Sequence, residues 1–448
     1  MGLLRDLFGQ PAIVAGLIVC MGLIALKKPI TEIIRGSVRA TIGFVTLLMG
    51  TNIIVAALSN FGKVFSKAFS MQGVIPSNEA AISIVLSKYG SIATLIFVFG
   101  MILNILLARI TRFKYIFLST DHALYMSCAL TAVMVASGMN LTESIVFGAL
   151  MLGMILCIMP AVAHPTMKLI TGKDDMSFAH FGTFGYWFCA QIGKIFGKNS
   201  RSIEEINFPK QLEFLQDSNV SVGIIMTILF YVITIIAGPE YVSTLSGGVN
   251  PYVWALLQAL QFTAGILILV TGVNILLDEI NPAFKGFSSR IVPNAVPGYP
   301  FAILFRGTSN ALLVGFLMSL LGGLLGMTAQ FMMGTVIILP GIVFHFFCGG
   351  IGAIFGNATG GRRGAIIGPF LTGIIMTFLP LLFINLFGGV GFTTTTFSDS
   401  DFLTFSVILG TIGRIGATPL MITISVLLVL MILVSIKKKS NVQPHAES

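Results

Sequence analysis

The sequence predicts an all-α polytopic membrane protein, and three observations lead there. Hydrophobic residues make up 55% of the 448 positions and charged residues 10%, with a mean hydropathy of +0.96, outside the range of soluble domains. Apolar stretches long enough to cross a hydrocarbon core about 30 Å thick recur along the whole chain. The basic residues gather in alternate loops between those stretches, the pattern a bilayer imposes on topology.

About eleven apolar stretches are countable, at 12–26, 40–59, 91–108, 116–137, 144–163, 220–238, 253–277, 310–330, 332–353, 365–388 and 417–436. Of the 26 basic residues, all but Arg5, Lys63, Lys67, Lys88 and Arg414 fall in odd-numbered loops or the C-terminal tail. The positive-inside rule therefore predicts a cytoplasmic C-terminus and an outside N-terminus. The net charge of +9 marks topology in this distribution, so no nucleic-acid partner is expected. The first apolar run lacks a small-residue cleavage site and reads as a retained helix.

Several function classes lose support. Cys20, Cys128, Cys157, Cys189 and Cys348 lie scattered in apolar runs without metal or redox spacing, so packing is their expected role. Neither Gly172-Lys173 nor Gly197-Lys198 has the glycine five residues earlier that a phosphate-cradling loop requires. No metal and no cofactor is expected.

The chain reads as a single transmembrane domain over 1–448, divided by a polar connector at 168–219 that the charge pattern places in the cytoplasm. Each half contains an interrupted segment, Gly73 to Glu79 and Ile291 to Ala295. Pro and Asn there break helices at membrane depth, where such backbone survives only if buried in protein or lining a polar cavity. Interruptions in corresponding halves predict two inverted repeats with re-entrant segments and a binding site between them.

Ionisable residues within apolar segments are costly and point to function. Asp121-His122, inside Leu118 to Tyr125, is the clearest case; the same pair also suits a tie between two helices. Asn78 and Glu79 follow the Pro76 break, where they suit ligand contact or simple helix capping. His180 to Trp187 is rich in Gly and aromatics and suits either a site wall or an interfacial anchor. Gly356 to Gly364 reads as a turn permitting close backbone approach, and Gly322 with Gly326 as a helix-packing pair. His164 and His345 are expected to be satisfied loop or core histidines.

Together these segments resemble the ascorbate-type membrane permease (IIC component) of the bacterial sugar phosphotransferase system. The likeness is carried by Ile75 to Ala81, Leu107 to Thr111 with Lys114 to Leu118, His180 to Trp187, Glu279 to Gly286 and Gly356 to Gly364, and it spans nearly the whole chain. The resemblance implies a homodimer in the bacterial cell membrane whose core domain carries solute past a scaffold domain, an elevator-type movement. It also implies that a separate cytoplasmic IIB protein, recharged through IIA, phosphorylates the solute, so the chain is a transport component and not an enzyme. Carried over by position, the family's solute contacts fall on Asn78, Glu79, Asp121, His122, Ala123, Leu124, Tyr125, Gly182 and Thr183.

Two departures bear on the cargo. The family usually reads Leu-Thr-Gly-His-His where this chain has Leu118-Ser119-Thr120-Asp121-His122, and it usually has an Asp where this chain has Pro300. A proton- or sodium-coupled transporter of a small polar solute, with Glu79 or Asp121 carrying the proton, is the alternative reading.

Overall fold

The computed structural model describes residues 10–69, 73–206, 218–304, 307–341, 344–393 and 395–437. It is built from helices and six very short strands. In order these are α1 (Pro11–Ala25), α2 (Ile30–Phe69), β1 (Gly73–Pro76), α3 (Asn78–Ile110), β2 (Tyr115–Phe117), α4 (Thr120–Ala136), α5 (Leu141–Thr171), β3 (Ser177–Phe178) and α6 (Thr183–Phe196). The chain continues with α7 (Ser218–Ala237), α8 (Pro239–Leu245), α9 (Pro251–Arg290), β4 (Val296–Tyr299), α10 (Ser309–Met332), β5 (Ile337–Ile338), α11 (Gly350–Phe387), β6 (Thr395–Thr396), α12 (Ser400–Gly413) and α13 (Ala417–Lys437). Among the described residues seven helices are long and apolar enough to cross a membrane, or up to eight if the pair bent by 112° at α7 and α8 forms one span. The chain is a multi-pass membrane protein.

The apolar stretches of the sequence divide in ways hydropathy does not reveal. Stretch 116–137 is shared between β2 and α4, and stretch 332–353 is not one helix. After α10 ends at Met332, the chain runs extended through β5 to Pro340, and a π-helical turn at His345–Gly349 leads into α11. Pro340 has no amide proton to give a helix, so the interruption follows from sequence. Within 168–219, read as a connector, lie the end of α5, β3, α6 and a 3-10 turn at Ile203–Glu205. Residues 207–217 lie outside the described residues.

Two exposure patterns separate the helices. On α2, Ile30, Ile34, Val38, Ile42, Val45 and Met49 form an exposed apolar stripe at helical spacing, as a helix facing hydrocarbon requires. On α4, by contrast, nearly every residue from Thr120 to Met134 is buried, polar ones included. α2 packs lengthwise against α9, while α6, α10 and α11 pack as a second group.

Small residues set the second group's closeness. A Cβ on Gly360 would lie 2.2 Å from the Gly193 carbonyl oxygen, so α6 and α11 touch backbone to backbone. α11 breaks at that point, with Gly361 at φ 55 and ψ −149, a conformation open in practice only to glycine. Gly322 likewise faces the Phe370 carbonyl, with 2.0 Å available for a Cβ. Cys128, Cys157, Cys189 and Cys348 are buried in the packing.

The strands form two parallel trios, ordered β5-β1-β6 and β2-β4-β3. The two interrupted segments of the sequence supply or lead into the central strands, β1 and β4. Because the strands within a trio run the same way, their C-terminal ends emerge together, and most open directly into a helix N-terminus. An amide side chain from a neighbouring helix satisfies one edge of each trio. Asn104 of α3 accepts from the Phe117 N–H and donates to the Tyr115 carbonyl, both at 3.0 Å. Gln330 of α10 accepts from the Ile338 N–H at 2.9 Å and donates to the Thr377 carbonyl at 2.8 Å. Both amides are fully buried, which the pairing of their polar atoms makes tolerable.

Candidate functional site

The candidate side chains stand on the strand-to-helix junctions of both trios. From the β1 trio, Asn78 opens α3, and its Oδ1 accepts from the Ser398 N–H at 2.9 Å, tying the start of α3 to the segment between β6 and α12. The Ser398 hydroxyl donates to Asp399 at 3.0 Å. Asn78, Ser398 and Asp399 are all buried.

Asp401 joins the two trios. Its carboxylate accepts from the N–H groups of Thr183 at 3.0 Å and Phe184 at 2.9 Å, the first turn of α6. The Ser400 hydroxyl accepts from the Gly185 N–H at 3.2 Å and donates to Asp401 at 2.8 Å. In return the Asp401 N–H donates to the Phe181 carbonyl at 2.9 Å. Helix N-termini leave N–H groups without intrahelical partners, and here a side chain from another helix caps them.

From the β4 trio come two histidines. His122, on the first turn of α4, has its ring centroid 4.0 Å from that of His180 and stacks on Phe402 at 5.8 Å. The Gly182 N–H donates to Nδ1 of His180 at 3.0 Å, and the Tyr186 hydroxyl lies 2.9 Å from the same nitrogen. In the neutral ring the proton therefore sits on Nε2. The Ser119 hydroxyl donates to the Ala179 carbonyl at 2.6 Å, closing α4 onto the segment that carries His180.

His122, His180 and Asp399 each place one ligating atom within 4.8 Å of the others, a spacing at which a metal ion deserves testing against the chemistry. With Nδ1 of His180 accepting from Gly182 and Nε2 bearing the proton, neither nitrogen has a free lone pair for a cation. The residues do not fit a metal centre; they form a hydrogen-bonding set. Six buried polar atoms lack a hydrogen-bond partner among the described residues, and three of them, Thr120 Oγ1, His122 Nδ1 and Thr396 Oγ1, lie on the first turn of α4 and on β6. Unpaired buried groups cost about 1 to 3 kcal/mol each, so each of these atoms can gain from pairing with a ligand. Behind the β1 trio a small cavity is lined by Pro76, Ile338, His345, Thr377 and Ser398, among others.

The residues singled out by the sequence fare unequally. Asn78, His122 and Tyr125 are buried at the junctions, with the Tyr125 ring 6.0 Å from His122. Asp121 is partly exposed beside His122, 4.0 Å from Nε2. Ala123 and Leu124 are packed in the apolar core. Gly182 is committed to His180 through its N–H, while Thr183 has its N–H on Asp401 and its hydroxyl on the His180 carbonyl at 2.6 Å. Glu79 lies in the first turn of α3, and its side chain lies outside the described residues. His164 and His345 are paired with Asp174 at 2.9 Å and Ser319 at 2.8 Å. Lys168 and His164 together hold the exposed Asp174 carboxyl below its usual range.

Sequence reading missed Asp399 and Asp401 and left His180 outside the contact set. The available signal was Ser398-Asp399-Ser400-Asp401 immediately before the apolar run from Phe402, a helix-start pattern.

Comparison with known proteins agrees with this architecture. The family described as EIIC-GAT, PTS system sugar-specific permease component, matches residues 6–401. A curated relative, the ascorbate-specific PTS system EIIC component of Mycoplasma pneumoniae, is 25% identical over 431 residues. That similarity covers 83% of this chain and 64% of the relative, so the chain spans somewhat less than two thirds of that protein's length.

Proposed function

Since the chain belongs to the family of sugar-specific permease components of the phosphotransferase system, we propose that it imports ascorbate or a related sugar or polyol, which a separate cytoplasmic IIB protein phosphorylates. The observation that carries the reading is the set of buried atoms without a partner among the described residues, Thr120 Oγ1 and His122 Nδ1 on the first turn of α4 and Thr396 Oγ1 on β6. A hydroxyl both donates and accepts, so a hydroxyl-rich solute pairs such atoms where an apolar one does not. Asn78, Asp121, His122 and Tyr125 line the solute path in this reading, with Glu79 beside Asn78. Gly182 and Thr183 close its inner side by holding His180 in place.

The chain itself performs no phosphoryl transfer; it supplies the path and releases cargo to IIB, which is recharged through IIA. The described part of 168–219 faces the cytoplasm in this scheme, the N-terminus lies outside, and basic inner loops dock the acidic partner surface. The exposed apolar stripe of α2 and its packing on α9 suit a scaffold shared between two copies, past which the α4, α6 and α12 junctions move as an elevator-type core.

Labelled-solute uptake in cells with and without the matching IIB tests the assignment. Accumulation as the phosphorylated solute, lost without IIB and retained when the proton gradient is collapsed, is expected. Uptake that survives loss of IIB but vanishes with the gradient would establish the proton-coupled alternative instead.

A further inference from the structure

We propose that Asp399, acting with the proton-bearing His180, selects cargo by charge, so that the site admits an uncharged polyhydroxylated solute and excludes its monoanion. This rests on the permease reading of the same site and narrows it. The polar groups at the junctions are Asn78, Ser398, two imidazoles and the carboxyls of Asp121, Asp399 and Asp401. Among the described residues no Lys or Arg forms an ion pair with any of these carboxyls; Asp121 instead lies 4.0 Å from His122. Lys88, on the same helix as Asn78, is spent on the Val390 carbonyl at 3.3 Å.

An anion entering this site exchanges its hydration for surroundings that offer no cation. With Asp399 ionised, like charges oppose it; with Asp399 protonated, only neutral hydrogen bonds offset the desolvation of the anion. Both states disfavour it, and what Asp399 itself adds is the like-charge opposition of its ionised form. A neutral hydroxyl meets no such opposition. It donates to a carboxyl oxygen while accepting from an imidazole N–H, and His122, His180 and Asp399 present such groups within 4.8 Å of one another.

Among the carboxyls described at the junctions, which leaves Glu79 aside, Asp399 is singled out by elimination. Asp401 has both oxygens committed to the first turn of α6, and Asp121 is partly exposed at the rim. Asp399 is 5% exposed; it accepts from the adjacent Ser398 hydroxyl at 3.0 Å and is hydrogen-bonded to Asn78 and Cys348 as well, all neutral partners that leave its ionised form without a compensating cation.

The test is equilibrium binding to the full-length protein in detergent with two probes of one shape. L-Ascorbate is a monoanion at neutral pH, and L-gulono-1,4-lactone is a neutral analogue with the same ring size and side chain. The lactone is expected to bind at least about ten-fold more tightly, and Asp399→Asn to shrink that ratio about ten-fold, as removal of like-charge opposition predicts. Thermal unfolding reports whether the variant folds, and Asp399→Ser replaces it if it does not. Ascorbate binding as tightly as the lactone to the unaltered protein overturns charge selection and leaves the permease reading standing. A ratio unchanged in both variants overturns the role of Asp399. Binding of neither probe removes this inference together with the solute-site assignment.

Discussion

The β1 trio and the β4 trio are built alike and deliver opposite chemistry. Each has a central strand in a segment where Pro and Asn or Gly interrupt the helices, each is parallel, and each has an edge pinned by a buried amide, Gln330 in one and Asn104 in the other. The β1 trio leads into Asn78, Asp399 and Asp401, a set dominated by acceptors. The β4 trio leads into His122, His180 and the amides of α6, a set dominated by nitrogen. In the proposed site the two are paired across Asp401, joining donors and acceptors that neither trio holds alone. The comparison teaches that one backbone device, repeated, presents different chemistry when the residue just past each strand end is varied.

The largest expected effect comes from cutting the join between the trios. Asp401→Ala leaves the Thr183 and Phe184 N–H groups unpaired in a buried setting, and loss of about 3 kcal/mol or more is expected. The midpoint of thermal unfolding in detergent checks this; an unchanged midpoint removes Asp401 as the clasp. Next come the edge pins. Gln330→Leu and Asn104→Leu each orphan a strand N–H, at about 2 kcal/mol, and near-equal losses by the same measurement support the likeness of the trios. A large loss from one and none from the other breaks it.

Smaller effects sharpen the contrast. Ser119→Ala removes the single bond from α4 to the Ala179 carbonyl and should cost about 1 kcal/mol. Ile42→Ala and Val38→Ala lie on the exposed apolar stripe of α2, where change is expected to stay within about 0.5 kcal/mol. A lipid-face substitution that costs more than Asp401→Ala would reverse the ranking on which the comparison stands.

Legibility in the sequence follows the same division. The lipid-facing parts were readable because hydrocarbon as solvent forces long apolar runs, and the stretch 40–59, within α2, is a run of this kind. The interruptions were readable as breaks, since Pro76 and Pro293 cannot continue a helix. What they become was not readable: Val296-Pro297-Gly298-Tyr299 is a central strand containing both residues that argue against one. Stretch 332–353 looked continuous because Ile337 and Ile338 serve a strand as well as a helix. Asn78 and His122 stood out because polar residues are conspicuous within apolar surroundings. Asp399 and Asp401 did not, because Thr393 to Asp401 is polar at every position but Phe397 and the burial of the two acids comes from tertiary packing.

The central claim is that cargo binds where the two trios meet, and labelled uptake at matched membrane abundance tests it most directly. With radiolabelled L-ascorbate, a pentitol and a hexitol offered in turn to cells carrying the matching IIB, at least one solute is expected to accumulate. Asn78→Ala and His180→Gln are expected to cut that accumulation more than about ten-fold, while Val38→Ala and Ile42→Ala keep it within about two-fold. Junction variants that transport as well as the unaltered protein would contradict the account.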